Sequence, residues 1–327
     1  MDAKITKSRL GLLLSYDWIK ILAVCAAGIL VWTLLFTTLA TRATAGQSFE
    51  LYTYMGIRAD FSALDDLDAL HARGALSQDV LDFSTSSLTE DYGDTILQAH
   101  TSAGQGDIMF AADSADETDE EGNVTGYTGL KRFLASYFSL AFWLGEDNYE
   151  LSEGYTVRSY FATCEEYLGR FFKTDGKADA ASGTLDKAAA EENFRVRIKG
   201  DKRYKNEKQI AAGLEGEYER LENLRKAYFT VYEWTHNDSS DDPVELRTVQ
   251  VTYTDREDKE HTADWTFAFD LGNIRNLSRF IADTSVSPAS SADMCMTVMT
   301  TGTSSDEDMR YEPFTFLVYL AEKFGEE

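Results

Sequence analysis

Residues Ile21–Thr41 form 21 consecutive residues without a charged side chain, and about 20 such residues suffice to cross a bilayer once as a helix. No later stretch approaches this run. Everything from about Gln47 onward is therefore expected to be one water-soluble body tethered at its N-terminus. The flanks set the direction. Lys4, Lys7, Arg9 and Lys20 precede the run and only Arg42 closely follows it, which keeps the short N-terminus, residues 1–18, in the cytoplasm. Tyr16 and Trp18 stand where an interfacial aromatic belt would place them. Two alternatives compete with an uncleaved anchor at residues 19–41. A cleavable signal peptide has an apolar core of about 7–15 residues; this run is longer, although Ala43-Thr44-Ala45 has the form of a small-x-small cleavage site. A lipoprotein would use Cys25, but that residue lies inside the run and follows the bulky Val24. The expectation is a single-pass cell-membrane protein whose C-terminal body works outside the cell, away from ATP and cytosolic reductants.

Charge agrees with that placement. The chain carries a formal charge of −25, and the first 45 residues are net basic, so the acidity belongs to the body. Such a surface repels phosphate backbones and anionic lipid heads, which argues against nucleic acid as a partner. Colloidal solubility explains the acidity without an acidic recognition patch. Outside the anchor only Cys164 and Cys295 remain. Either a disulfide in an oxidising compartment or two buried free thiols fits them.

The order of elements points to an α/β fold. Ser48–Gly56 reads as a strand. Phe61, Leu64, Leu67 and Leu70 repeat at a spacing of three and predict a helix closed by Gly74. Val80–Leu88 is a second strand, ending in Ser84-Thr85-Ser86-Ser87. Tyr92–Ser102 is a short helix and Gly106–Ala111 a third strand. Strand–helix–strand–helix–strand with short connections implies parallel pairing and right-handed crossovers. Asp113–Gly126 is an acidic loop, and Gly129–Leu144 is an apolar, aromatic helix. Further aromatics fill Tyr155–Phe172. The stretch Thr174–Ala190, rich in Gly, Ala, Asp and Lys, is the best candidate for a linker. Lys208–Trp234 reads as a long helix, with Glu217, Glu219 and Glu222 among Arg220, Arg225 and Lys226 on exposed faces. Leu246–Thr254 and His261–Phe269 alternate as a hairpin. A helix at Leu271–Ile281, a strand at Ala292–Met299 and a closing helix at Tyr311–Phe324 complete the pattern.

The segment Asp82–Asp113 resembles the opening lobe of the extracellular solute-binding proteins of bacterial ABC importers. A strand and a helix lead into Thr101-Ser102-Ala103-Gly104-Gln105-Gly106-Asp107-Ile108-Met109-Phe110. That family's usual form is Gly-x-x-Pro-Asp followed by two apolar residues, and here Gly106 stands where the proline would be. The closing segment Phe314–Phe324 is similar to the helix that often ends those proteins. The resemblance covers about a third of the chain. It departs in using a transmembrane helix rather than a lipidated cysteine. It implies a two-lobe periplasmic-binding-protein-like body over 46–327. The first lobe would cover about 46–125, the second mainly 126–260, and 261–327 would supply closing segments. A small polar solute, sugar-like or peptide-like, would be held between the lobes, with an ABC permease or another membrane protein as partner.

Physical reasoning reaches the same place, because ligands on open α/β sheets bind at the carboxyl ends of the strands. Those ends carry Tyr54, then Thr85, Ser86 and Ser87, then Asp113. Hydroxyls, a carboxylate and a tyrosine face suit a polar ligand, although each residue alone reads more simply as an ordinary loop or turn residue. Trp143, Trp234 and Trp265 are candidate ring platforms, with Trp143 the one carried forward as ligand-binding. Tryptophan at helical or strand spacing commonly fills a core instead.

A search for catalysis is negative, so no enzyme, cofactor or metal is expected. His71, His100, His236 and His261 are scattered and form no His-Glu-x-x-His pair, and neither Gly-x-Ser-x-Gly nor a Gly-x-x-x-x-Gly-Lys phosphate loop occurs. Asp116–Gly122 places Glu121 where the sharp-turn glycine of a calcium loop belongs, and reads as a solvated hairpin tip. Three functions remain. The first is recognition of a polar solute. The second is a ligand-free assembly or sensor subunit that binds another membrane or envelope protein. The third, with least support, is an envelope hydrolase. An open cleft lined by polar and aromatic groups would favour the first, and a cleft filled by the protein's own side chains the second.

Overall fold

The computed structural model describes residues 18–39, 43–89, 92–122, 124–144, 157–237, 239, 241–254, 257–299 and 306–325. Two separate units divide the chain, residues 1–42 and 43–327. In the first, α1 (Trp18–Leu39) is a 22-residue helix that carries large apolar side chains such as Val24, Ile29, Val31 and Trp32 more than half exposed. No helix among the described residues is long and apolar enough to cross a membrane. The sequence of α1, with Lys20 its one charge, contains most of the uncharged run.

In the second unit the expected alternation forms first. In chain order come β1 (Ser48–Thr53), β2 (Ile57–Ala59), α2 (Leu67–Ala72), β3 (Asp82–Ser87), α3 (Gly93–Ser102) and β4 (Ile108–Ala112). The helix expected over Phe61–Gly74 is broken in two. Asp60 accepts from the Ser62 N–H to cap a single 3-10 turn at Phe61–Ala63, and Asp66 accepts from the Ala69 N–H to start α2 afresh. Short acidic side chains that bond the backbone ahead of them compete with helix continuation.

A short hairpin, β5 (Glu117–Thr118) and β6 (Val124–Gly126), follows in the acidic stretch. Next come α4 (Gly129–Leu144) and α5 (Val157–Phe171). The stretch expected to be a linker is ordered structure. It forms a three-stranded sheet of β7 (Phe172–Thr174), β8 (Lys177–Ala178) and β9 (Thr184–Leu185), then the start of α6 (Lys187–Arg197). Asp175 and Gly176, with φ of 51° and 76°, make the two-residue connection between β7 and β8. That is the positive-φ pair a tight hairpin demands. Asp186 caps α6 by accepting from the Ala189 N–H.

The 30-residue α7 (Glu207–His236) starts at the Asn206 cap. Its buried stripe, Leu214, Leu221, Leu224, Tyr228 and Val231, keeps helical spacing. Glu217 falls on the same stripe. It is 2% exposed and Arg220 7%, so this pair is interior rather than surface-exposed as the charge pattern implied. Arg220 donates Nε and Nη2 to the two Glu217 oxygens at 2.9 Å each, and its Nη2 also reaches the Tyr167 hydroxyl at 2.6 Å. A charge leaves water at tolerable cost only with such partners.

The long hairpin β10 (Glu245–Thr254) and β11 (Glu260–Asp270) forms as expected. The helix expected over Leu271–Ile281 does not. Ile274, Leu277 and Phe280 each donate their N–H three residues back, to Leu271, Ile274 and Leu277, a succession of tight turns that serves the same period-three burial. The chain then enters β12 (Ile281–Asp283), which pairs with β2. β13 (Met294–Val298) and α8 (Glu312–Gly325) close the unit.

One six-stranded mixed sheet organises the unit, in the order β10-β11-β13-β4-β1-β3. β3, β1 and β4 run parallel, and β13, β11 and β10 continue antiparallel. Strands from both stretches expected to be separate lobes therefore share this sheet, and residue 125 marks no division in it. The reason is that β13 lies between β4 and β11 and pairs with both. The main core, with Phe49, Leu51, Phe110, Phe269, Leu221 and Phe314, fills one face. A second core, with Tyr52, Met109, Leu97, Phe133 and Leu134, fills the other under α3 and α4. Each fully buried side chain of this kind contributes about 1.5–3 kcal/mol. Cys164 and Cys295 are buried free thiols.

Candidate functional site

Order β3-β1-β4 sends the first crossover to one side of β1 and the second to the other. The topological switch point thus lies between β1 and β4, and a ligand would sit outside their carboxyl ends. Tyr54 and Asp113 are the residues that immediately follow those strands, so two expected site residues stand where the fold rule places them.

Neither is open. Tyr54 is 1% exposed, and its ring packs edge-on against Phe133 at 5.7 Å. Its backbone N–H donates to the Phe110 carbonyl at 2.8 Å, and its hydroxyl donates to Asp94 Oδ1 at 2.6 Å. The other Asp94 oxygen accepts from Arg132 Nη2 at 2.9 Å. Asp94 lies in the first turn of α3, where a carboxylate suits the helix dipole, and Arg132 comes from the first turns of α4. Burial pushes the Tyr54 phenol up, and its bond to Asp94 adds to the shift. At neutral pH the group is a hydroxyl donor already committed to a carboxylate.

Asp113 is half-buried at the head of a second set of charged groups. Its N–H donates to the Asp293 carbonyl at 2.9 Å. Arg247, from β10, lies 2.6 Å from Asp270, 3.4 Å from Asp113 and 3.8 Å from Asp293. Burial raises the Asp113 carboxyl, with Arg247 and Lys131 opposing. Burial also pushes up the neighbouring Cys295 thiol, helped by Asp270, which makes it a poor nucleophile. Among the described residues no group of three or more His, Cys, Asp or Glu side chains could hold a metal ion.

Thr85, Ser86 and Ser87 stand at a strand end but not beside the switch point. They are the last three residues of β3, at the carboxyl end where the strand pattern put them, but β3 is an outer strand of the sheet. The Ser87 hydroxyl accepts from the Thr53 hydroxyl at 2.9 Å. Thr85 sits opposite Leu51, and Ser86 opposite Tyr52. The three residues therefore form an edge, not a cleft wall. Trp143 lies in α4, and its side chain falls outside the described residues. Trp234 is half-buried against the main core.

A small concavity lies elsewhere, lined by His71, Ser77, Arg220, Asn223, Glu312 and Thr315, with a volume of about 30 Å³. That is room for a few water molecules. Asp94, Arg132, Arg247 and Asp270 are the site residues that sequence reasoning missed. Asp94 had a signal, an acidic residue in the first turn of a predicted helix. Arg247 had a weaker one, a charge inside an alternating strand.

The chain matches no known family model, no curated protein and no solved structure.

Proposed function

We propose that residues 43–327 form an extracytoplasmic interaction module that binds another membrane or envelope protein and holds no solute of its own. The observation that carries this reading is the Tyr54–Asp94–Arg132 chain of hydrogen bonds. It fills the switch point of the parallel strands with the protein's own groups, where a solute would need free ones. The Arg247 cluster does the same on the β4 side. A solute would have to break the Tyr54–Asp94 hydrogen bond or displace Asp113 from its Arg247 ion pair before gaining its own bonds.

The anchor belongs to the same proposal. α1 displays large apolar side chains such as Leu22, Val24, Ile29 and Trp32 outward, and basic residues cluster on its N-terminal flank. A helix of that kind holds the module at the outer face with the N-terminus inside. Membrane sedimentation and protease shaving of intact cells test the topology, and a protected C-terminal body would overturn it. A thermal-shift screen of the full-length protein in detergent, against sugars, amino acids and short peptides, tests the module. No stabilisation is expected. A solute that raises Tm in proportion to its concentration, and loses that effect in Asp113→Ala, would restore the solute-binding reading.

A further inference from the structure

Resting on the reading just given, we propose that the outer edge of β3 is the docking site, and that it accepts an extended, basic segment of the partner protein as an added strand. β3 closes one end of the six-stranded sheet and, among the described residues, pairs only with β1. The Leu88 N–H donates to the Thr53 carbonyl. Alternation along a strand therefore turns the backbone groups of Ser84 and Ser86 toward β1, and those of Phe83, Thr85 and Ser87 outward. Among the described residues, three N–H and three C=O groups along six residues, about 20 Å of strand, are left without a partner strand.

Exposed edges of this kind are normally blocked by proline, lysine, a bulge or a covering element. The two edges of this sheet differ in that respect. The opposite edge, β10, carries a register irregularity between Arg247 and Thr248, the charges Glu245 and Arg247, and α4 packed against it. Among the described residues, β3 runs beside β1 in unbroken register, without a bulge. Its sequence, Asp82-Phe83-Ser84-Thr85-Ser86-Ser87, has no proline, no basic residue and one charge, at its first position. It is also well supported from behind. Phe83 stacks near Phe49 at 6.5 Å and Phe316 at 6.3 Å, so the edge is a fixed template. Strand addition uses such a template, with main-chain bonds giving affinity and alternate side chains giving specificity.

Charge selects the occupant. Neither β3 nor its neighbour β1 holds a lysine or arginine, while Asp82 and Glu50 lie in the pair, and the chain as a whole is at −25. A second copy would bring two bodies of the same sign edge to edge. A segment carrying Lys or Arg beside β-branched and hydroxyl residues is attracted instead.

The test uses the full-length protein in lipid nanodiscs and a synthetic hexapeptide, acetyl-Lys-Val-Thr-Val-Thr-Lys-amide, read by hydrogen exchange of the Asp82–Ser87 segment. The expected result is several-fold slower exchange of that segment on addition of the peptide. Two further versions of the peptide carry N-methyl groups on alternate amides. Only one of the two exposes the donors that β3 needs, so one should protect and the other should not. Equal protection by both would mean charge attraction without strand pairing and would overturn the proposal, as would no protection by any of the three. Protection of β3 that rises with protein concentration alone would assign the edge to a second copy and overturn the choice of occupant. These outcomes are separate from the solute screen: a stabilising solute sinks the interaction reading, whereas an inert edge sinks only its location.

Discussion

The Tyr54 hydroxyl and Asp94 Oδ1 lie 2.6 Å apart, joining the end of β1 to the first turn of α3 across the place where an open α/β sheet would receive its ligand. Stability therefore depends on a residue whose position on the strand suggested recognition. Tyr54→Phe should cost about 1–2 kcal/mol, since it removes a bond to a charged acceptor that Arg132 still holds. Tyr54→Ala should cost about 3–5 kcal/mol, because a fully buried ring is lost from the second core. Urea unfolding measures both. A Tyr54→Ala variant as stable as the parent would mean that the ring is not interior.

The Glu217–Arg220 pair gives a second prediction. Glu217→Ala leaves the Arg220 guanidinium buried without its carboxylate, and Arg197, which also bonds Glu217, loses one of its partners. The expected cost is about 3–5 kcal/mol. Arg220→Met should cost less, because Glu217 keeps Arg197 and the methionine fills the space apolarly. Chemical denaturation of both variants checks the order, and a larger loss for Arg220→Met would reverse the account.

Much of the fold was legible because burial writes a period into the sequence. β1, β3, α3, β4, α4, α7, the β10–β11 hairpin, β13 and α8 all fell near their expected spans. The failures have physical causes. Leu271, Ile274, Leu277 and Phe280 repeat every three residues, and a helix and a chain of tight turns bury that spacing equally well. Thr174–Ala190 looked like a linker because small and charged residues dominate it, although Asp175-Gly176 was a hairpin signal in plain view. Glu217 looked exposed because it is charged, yet it sits in register with Leu214 and Leu221. At the site, strand order placed Tyr54 and Asp113 correctly. Sequence could not show that Asp94 and Arg247, about 40 and 134 positions away in the chain, would satisfy them.

Glu312 and Glu217 should respond to pH in opposite senses. Burial on its own would raise the Glu217 carboxyl, but the Arg220 and Arg197 guanidiniums hold it below the usual glutamate value. Its contribution is present above the unfolded pKa and lost as pH falls through the folded one. Glu312 is raised by burial, against the pull of Arg220. Its contribution is present below the unfolded pKa and lost as pH rises through the raised folded value, so the ionised group costs stability at neutral pH. Glu312→Gln keeps an acceptor for the Ser77 N–H and removes that cost. The variant should unfold at higher urea than the parent at pH 7 and match it near pH 4. A variant less stable at both pH values would mean that the charge is needed.

The boundary between anchor and body can be cut at a defined residue. The body separates as residues 43–327, and removal of residues 1–42 should leave a soluble unit that unfolds in one cooperative step. Removal of residues 1–47 should not be equivalent. Gln47 accepts the Leu81 N–H at 2.7 Å ahead of β3, and its own N–H donates to Thr44 in the 3-10 turn Ala45–Gln47. Gly46 is buried so closely against Asp306 that an added Cβ would come within 2.7 Å of the aspartate Cβ. The longer truncation therefore unpins the entry to β1 and β3 together, at a cost of about 1–3 kcal/mol from the unsatisfied Leu81 N–H. Circular dichroism melts of the two truncations decide the point. Equal stability would move the start of the folded body to β1, and aggregation of the shorter truncation would mean that its core depends on the membrane or on the partner.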